Sequence, residues 1–293
     1  MTTASLYLSA DAEPFPGYRL DRFLGRGGFG EVWEARVPGG KRAALKFLPC
    51  DKGQKAAREI RALQAMREVR HPHLVRVDQV WCYDSFLVIS MELADGNAED
   101  LLKTYRSQFG TPVSAEHVCY LLSQAADALD FLNARTHLVN GQYISIQHCD
   151  IKPSNLLLFG DTLKIGDFGL VSALGSQSEC EHRTRSGTMS FCAPEVFQGR
   201  LSTHTDQYSL AVTYCLLRGG RLPFEDPASA WDPGFVRPVP DLSMLPTVER
   251  TVVGRALNPI PQDRWPSCGE LMSRLATLVC EPVAQEGNRR SSS

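Results

Sequence analysis

The chain has 293 residues, 43% of them apolar and 22% charged, and its 31 basic against 33 acidic side chains leave a net charge of −2. That is ordinary globular composition, and it implies no nucleic-acid-binding surface. No apolar run reaches the ~18 residues of a membrane helix, and the first residues lack the basic start and apolar core of a secretory signal.

In chain order, residues 1–17 are small and polar with two prolines and are expected to be a flexible leader. Leu24-Gly25-Arg26-Gly27-Gly28-Phe29-Gly30-Glu31-Val32 follows. A lone G-x-G-x-x-G also marks dinucleotide-binding folds, where the glycines end a strand and open a helix. Here Val32–Val37, the turn Pro38-Gly39-Gly40 and a second β-like run from Arg42 to Leu48 continue as a hairpin. Glycines in such a lid let backbone N–H groups approach phosphates, because no Cβ intervenes. Ala43-Ala44-Leu45-Lys46 then brings a lysine. On the helix expected over Ala56–Met66, Ile60, Leu63 and Met66 outline the buried face and Glu59 sits at its margin, with Glu68 as second choice. Helical patterns dominate from Gly96 to Cys280, most clearly over Glu116–Leu132. Between Asn133 and Gln147 a turn at Asn140-Gly141 is expected to join two short strands. Residues 281–293 read as a flexible tail. The nine cysteines are scattered without a C-x-x-C pair, and Cys180 with His182 is too isolated to hold a metal, so reduced thiols in a cytoplasmic protein are expected.

The densest chemistry is His148-Cys149-Asp150-Ile151-Lys152-Pro153-Ser154-Asn155, followed by Asp167-Phe168-Gly169. It supplies a carboxylate, a lysine, an amide and a second carboxylate. This is the equipment for moving a phosphoryl group from magnesium-ATP to a hydroxyl. Ser186-Gly187-Thr188 and Ala193-Pro194-Glu195 come next, then Asp206-Gln207-Tyr208 and Pro261-Gln262-Asp263-Arg264. In this order and spacing the motifs resemble those of eukaryotic-like (Hanks-type) serine/threonine protein kinases, and the run from Thr205 to Tyr214 suggests the bacterial branch. Lys152-Pro153-Ser154-Asn155 resembles the serine/threonine rather than the tyrosine version of the loop.

The resemblance implies an α+β, bilobal fold over residues 18–280. A small antiparallel β-sheet lobe with one helix (18–94) would precede a larger, mainly helical lobe (95–280). It implies that Asp150 accepts or orients the substrate proton, that Lys152 steadies the transferring phosphoryl group, and that Lys46, paired with Glu59, steadies the ATP phosphates. Asn155 and Asp167 would bind Mg²⁺, with Mn²⁺ able to substitute. The glycines 25, 27, 28 and 30 would cover the phosphates. Leu24, Val32 and Ala44 would roof the adenine, Leu157 would floor it, Met91 would stand behind it, and Glu92 and Ala94 would bond it from the linker. Glu195 would pair with Arg264, and Asp206 would hold the catalytic-loop backbone. The implied partner is a protein substrate with a Ser/Thr acceptor. A catalytically weak scaffold on the same fold is the alternative, and a small-molecule phosphotransferase fits Gly187-Thr188 and Ala193-Pro194-Glu195 less well. Cys149 stands where most of the family has arginine. An uncharged thiol cannot pair with an activation-loop phosphate, so activity without that phosphate is expected.

Overall fold

The computed structural model describes residues 8–27, 30–49, 69–83, 85–139, 142–167, 172–173, 189–225 and 235–280. Five strands, β1 (Arg19–Gly27), β2 (Gly30–Val37), β3 (Lys41–Pro49), β4 (Val77–Tyr83) and β5 (Phe86–Met91), form one antiparallel sheet in the order β1-β2-β3-β5-β4. Strand alternation divides its side chains between two faces. Trp33, Ala35, Leu45, Phe47 and Val88 bury the outer face together with Leu20. The register sets Val32 opposite Lys46 and Ala44 opposite Met91, so these four share the inner face. The β2–β3 turn uses Gly39 and Gly40 at φ 88° and 73°, a conformation that side-chain-bearing residues avoid.

The expectation of a flexible segment to residue 17 does not hold for residues 8–17. Phe15 is buried on the outer face of the sheet, with ring centroids 4.8 Å from Tyr18 and 5.2 Å from both Trp81 and Tyr83. The Asp11 N–H donates to Leu20 O at 2.7 Å and the Leu20 N–H to Ala12 O at 2.8 Å, which lays the segment alongside β1. The ring burial and the backbone bonds to β1 act together against the entropy of ordering the segment, and neither is visible in its polar, proline-containing composition.

In the larger lobe β6 (Gly96–Asn97) leads into α1 (Ala98–Phe109), whose N-cap Asn97 accepts from Glu99 N–H and Asp100 N–H. The helix expected over Glu116–Leu132 is α2 (Ala115–Asn133), and it buries Val118, Leu121, Leu122, Ala125, Ala128, Leu129 and Leu132. The two short strands expected after it are β7 (His137–Val139) and β8 (Gln142–Ile144), paired antiparallel; Asn140 and Gly141 lie outside the described residues.

Short strands then frame the chemistry. β9 (Ile146–Gln147) ends at His148, β10 (Leu156–Phe159) begins after Asn155, and β11 (Thr162–Ile165) ends two residues before Asp167. β10 pairs with β11 and β6, and β12 (Ser172–Ala173) pairs with β9. Beyond them come α3 (Pro194–Phe197), α4 (Thr205–Gly219), α5 (Thr247–Ala256) and α6 (Cys268–Cys280). Among these, α4 is buried along most of its length, so the lobe is built around it. The lobes join through backbone: Val75 N–H donates to Ile165 O and Ile165 N–H to His73 O, each at 2.9 Å.

Candidate active site

β9 carries the chain into the core, and α4 holds it there. The Asp206 carboxylate, in the first turn of α4, accepts His148 N–H at 2.7 Å and Cys149 N–H at 2.8 Å. Burial pushes the Asp206 carboxyl above the usual carboxylate range, and the two N–H donors oppose that by favouring the charged form. Cys149 takes φ 66°, in the left-handed region, which turns the chain sharply before Asp150. His148 is fully buried; its Nδ1 faces Asp150 N–H at 3.3 Å and its Nε2 faces Gly166 O at 2.9 Å. With Nδ1 accepting, Nε2 carries the proton, so one ring couples the catalytic loop to the residue before Asp167.

The Asp150 carboxylate is buried, and its Oδ2 accepts Lys152 Nζ at 2.8 Å and Asn155 Nδ2 at 2.9 Å. Asn155 Nδ2 also donates to Asp150 O at 2.8 Å, which leaves the amide oxygen as the group a cation can use. Gly166 N–H donates to Asn155 O at 2.9 Å, fixing the spacing of the two oxygen-bearing residues Asn155 and Asp167. From the small lobe, buried Lys46 reaches Asp167 Oδ1 at 2.5 Å, and Asp167 itself has φ 61°. Lys46, Asp150, Lys152, Asn155 and Asp167 thus meet from both lobes. The amide oxygen of Asn155 and the carboxylate of Asp167 form a hard-oxygen pair that suits a magnesium ion shared with phosphates.

Glu59 and Gly28 lie outside the described residues, as do Thr188 and most of the activation segment. Of the remaining glycines, Gly25 has open space around its Cβ position, and a Cβ on Gly30 would overlap the Phe47 carbonyl. Gly27 ends β1 and pairs with Gly30. Leu24, on β1, is 39% exposed, and the inner face of the sheet carries Val32, Ala44 and Met91. Leu157 lies close under Gly166, where an added Cβ would sit 3.0 Å from its Cδ1. In the linker, the Glu92 carboxylate accepts Arg76 N–H at 2.7 Å and pairs with Lys164 at 2.8 Å, which ties linker to large lobe. No local pattern of residues signals that pairing. Ala94 lines a cleft of about 420 Å³ with Glu92, Arg22, Lys41, Arg42 and Arg76. The cleft lacks Lys46, Asp150 and Asp167. Arg22 and Arg42 are committed to buried Glu34, and Arg76 to Asp78, so it offers no concentrated cationic charge.

On the far side of the catalytic loop, Arg264 binds Glu195 in a bidentate pair, both bonds at 2.8 Å, with the guanidinium fully buried. Arg237 was not singled out from the sequence, since a lone arginine among prolines and valines carries no pattern. It is buried and donates to the carbonyls of Met189 and Ser190.

The family model for the protein kinase domain matches residues 18–243. The chain is similar to the CBL-interacting protein kinase 4 of Oryza sativa subsp. japonica, 36% identical over 228 residues that cover 73% of this chain and 47% of the relative. It is 31% identical over 306 residues to the serine/threonine-protein kinase PknF of Mycobacterium tuberculosis, covering 94% of this chain and 61% of the relative. With the probable serine/threonine-protein kinase PknB of Lactococcus lactis it shares 29% identity over 273 residues, covering 89% of this chain and 42% of the relative. The chain therefore spans about half the length of these curated relatives. Bacterial relatives fit the branch expected from Thr205–Tyr214, while the rice relative shows that the likeness extends to plants.

Proposed function

Since this chain belongs to the protein kinase family, we propose that it transfers the γ-phosphoryl group of ATP to serine or threonine hydroxyls of protein substrates. The observation that carries the reading is the Asp150 carboxylate, bonded by both Lys152 and Asn155, with the Lys46–Asp167 pair set against the same loop. Asp150 orients the substrate hydroxyl and takes its proton, and Lys152 neutralises oxygens of the moving phosphoryl group. Lys46 steadies the phosphates of ATP and is held ready by Asp167. The adenine lies between Leu24, Val32 and Ala44 above and Leu157 below, with Met91 behind and the linker backbone at Glu92 and Ala94 as its bonding edge. Gly25, Gly27, Gly28 and Gly30 close over the phosphates, and Glu59 is the partner assigned to Lys46 on the helix side. Asn155 and Asp167 would hold Mg²⁺ or, in its place, Mn²⁺, which neutralises charge between the phosphates. The cytoplasm is the proposed compartment, supported by cysteines scattered without paired spacing. Among the described residues, no helix is long and apolar enough to cross a membrane.

Incubation with Mg²⁺ and labelled ATP, with and without casein, tests the reading. Wild type should label protein serine or threonine. Asp150→Asn should lower the rate by roughly 10²–10⁴-fold while keeping nucleotide-dependent thermal stabilisation. Asp167→Asn should lose both. Equal behaviour of the two variants in the Mg²⁺-ATP thermal-shift assay would refute this division of roles, and an unlabelled casein would leave the scaffold alternative standing.

A further inference from the structure

We propose that Arg237 is a positioning residue for the protein substrate, bracing the turn that leads into Ala193-Pro194-Glu195, the segment along which the kinase reading above, on which this rests, would lay the acceptor peptide. Met189–Phe191 form a short 3-10 turn immediately before α3, and three successive carbonyls of that turn are held from beneath. Arg237 takes those of Met189 and Ser190, the latter at 3.4 Å through Nη1. Ser209 Oγ, on the buried face of α4, donates to that of Phe191 at 2.8 Å. Three peptide planes fixed in sequence leave the turn no freedom to rotate, so the surface it offers has one shape.

The guanidinium is itself locked. It lies 4.7 Å from the Phe224 ring centroid and 5.1 Å from that of Phe197, within cation–π range of both. Phe224 stacks on Tyr208 at 6.1 Å with 6° between the ring planes, and Arg264 lies 4.9 Å from Tyr208. A column of cations and rings therefore runs from the Glu195–Arg264 pair through Tyr208 and Phe224 to Arg237 and Phe197. Its far end is fixed by a buried bidentate ion pair, and its near end touches the turn. The inward aim belongs to Arg237 in particular, because the nearby Val236 and Val239 are 83% and 90% exposed. A planar fork can lie flat against two rings and still reach two carbonyls, whereas a lysine ammonium is a compact point charge with no flat face to stack.

The test compares wild type, Arg237→Lys and Arg237→Met in steady-state transfer from Mg²⁺-ATP to casein, with KM measured for each substrate. The expected result for Arg237→Met is a rise of tenfold or more in KM for casein, with KM for ATP within twofold of wild type. Arg237→Lys should fall between the two. A uniform loss of kcat with both KM values unchanged would mean a merely structural role and overturn the proposal, as would wild-type kinetics in Arg237→Met. If Arg237→Met does not fold, the same KM split in Arg237→Lys decides. Wild-type protein that labels no casein would instead sink the kinase reading, so the two failures are distinguishable.

Discussion

Asp206→Asn isolates how the fold holds its catalytic loop. The carboxylate serves two backbone donors, His148 N–H at 2.7 Å and Cys149 N–H at 2.8 Å, one on each oxygen. An amide has one oxygen, so it keeps one donor and sets its own NH₂ against the other. A hydrogen bond to a charged group contributes about 1.5–3 kcal/mol, and the loss is partly offset because the variant no longer buries a charge. A net cost of about 2 kcal/mol follows, or a Tm lower by roughly 3 °C for a chain of this size.

The catalytic effect should be larger than the stability effect. Cys149 is held at φ 66°, a conformation that costs a residue with a Cβ about 1–2 kcal/mol. Releasing one N–H lets the backbone relax and carries Asp150 with it, and a displacement near 1 Å lowers turnover by about 10²-fold. KM for ATP should hold, since Lys46 and Asp167 keep their contact. Adding Cys149→Gly to Asp206→Asn should recover part of kcat, because glycine takes a positive φ without that penalty. Differential scanning fluorimetry and steady-state transfer read the two effects separately. A Tm loss with kcat within threefold of wild type would refute the reasoning, as would a Cys149→Gly background that recovers nothing.

Arg264→Met leaves Glu195 buried without its partner and should cost about 3–5 kcal/mol in urea unfolding, whereas Arg264→Met with Glu195→Leu should cost clearly less than the two single changes added. Phe15→Ala should cost about 3 kcal/mol in the same assay, with kcat unchanged, because Phe15 lies on the face of the sheet opposite Lys46. Burial holds His71 and His204 below the ordinary histidine value of 6.5, with the Arg264 guanidinium adding to the effect at His204. The unfolded chain therefore takes up these protons first on acidification. Their stabilising contribution is whole above pH ~6.5 and is lost as pH falls through the folded values. Tm should drop between pH 7 and pH 5.5, and His71→Gln with His204→Gln should flatten that slope.

What the sequence made legible was whatever function demands of side chains at short spacing. Asp150, Lys152 and Asn155 lie within six residues, so their meeting follows from one local turn, and Asp167 is brought to them by a two-strand hairpin, β10–β11. The β-like run from Arg42 to Leu48 was legible as well, and in the folded sheet alternation puts Ala44 and Lys46 on one side and Leu45 and Phe47 on the other. Phe15 and Arg237 escaped for the opposite reason. Each acts through partners distant in sequence, Trp81 and Tyr83 for one and Met189 and Ser190 for the other, and nothing in the local composition signals that. Glu92 was read for its backbone, while its carboxylate, bonded to Arg76 N–H and Lys164, joins linker to large lobe.

Cys149 shows how the two kinds of information combine. Judged by its side chain, an uncharged thiol where the resemblance implies arginine would lack a charge beside Asp150 and with it an anchor for a phosphorylated loop. Judged by its backbone, the position is unimpaired: its N–H is bound by Asp206, and the same carboxylate binds the N–H of His148. Main-chain bonds of this kind do not depend on which side chain the residue bears. Asp150 is then placed from below by α4, and from its own side by Lys152 and Asn155, through contacts in which the side chain of residue 149 has no part. A loop held in this way keeps its geometry whichever side chain stands at 149, so under the kinase reading the cysteine should bear on control by phosphorylation rather than on the chemistry of transfer.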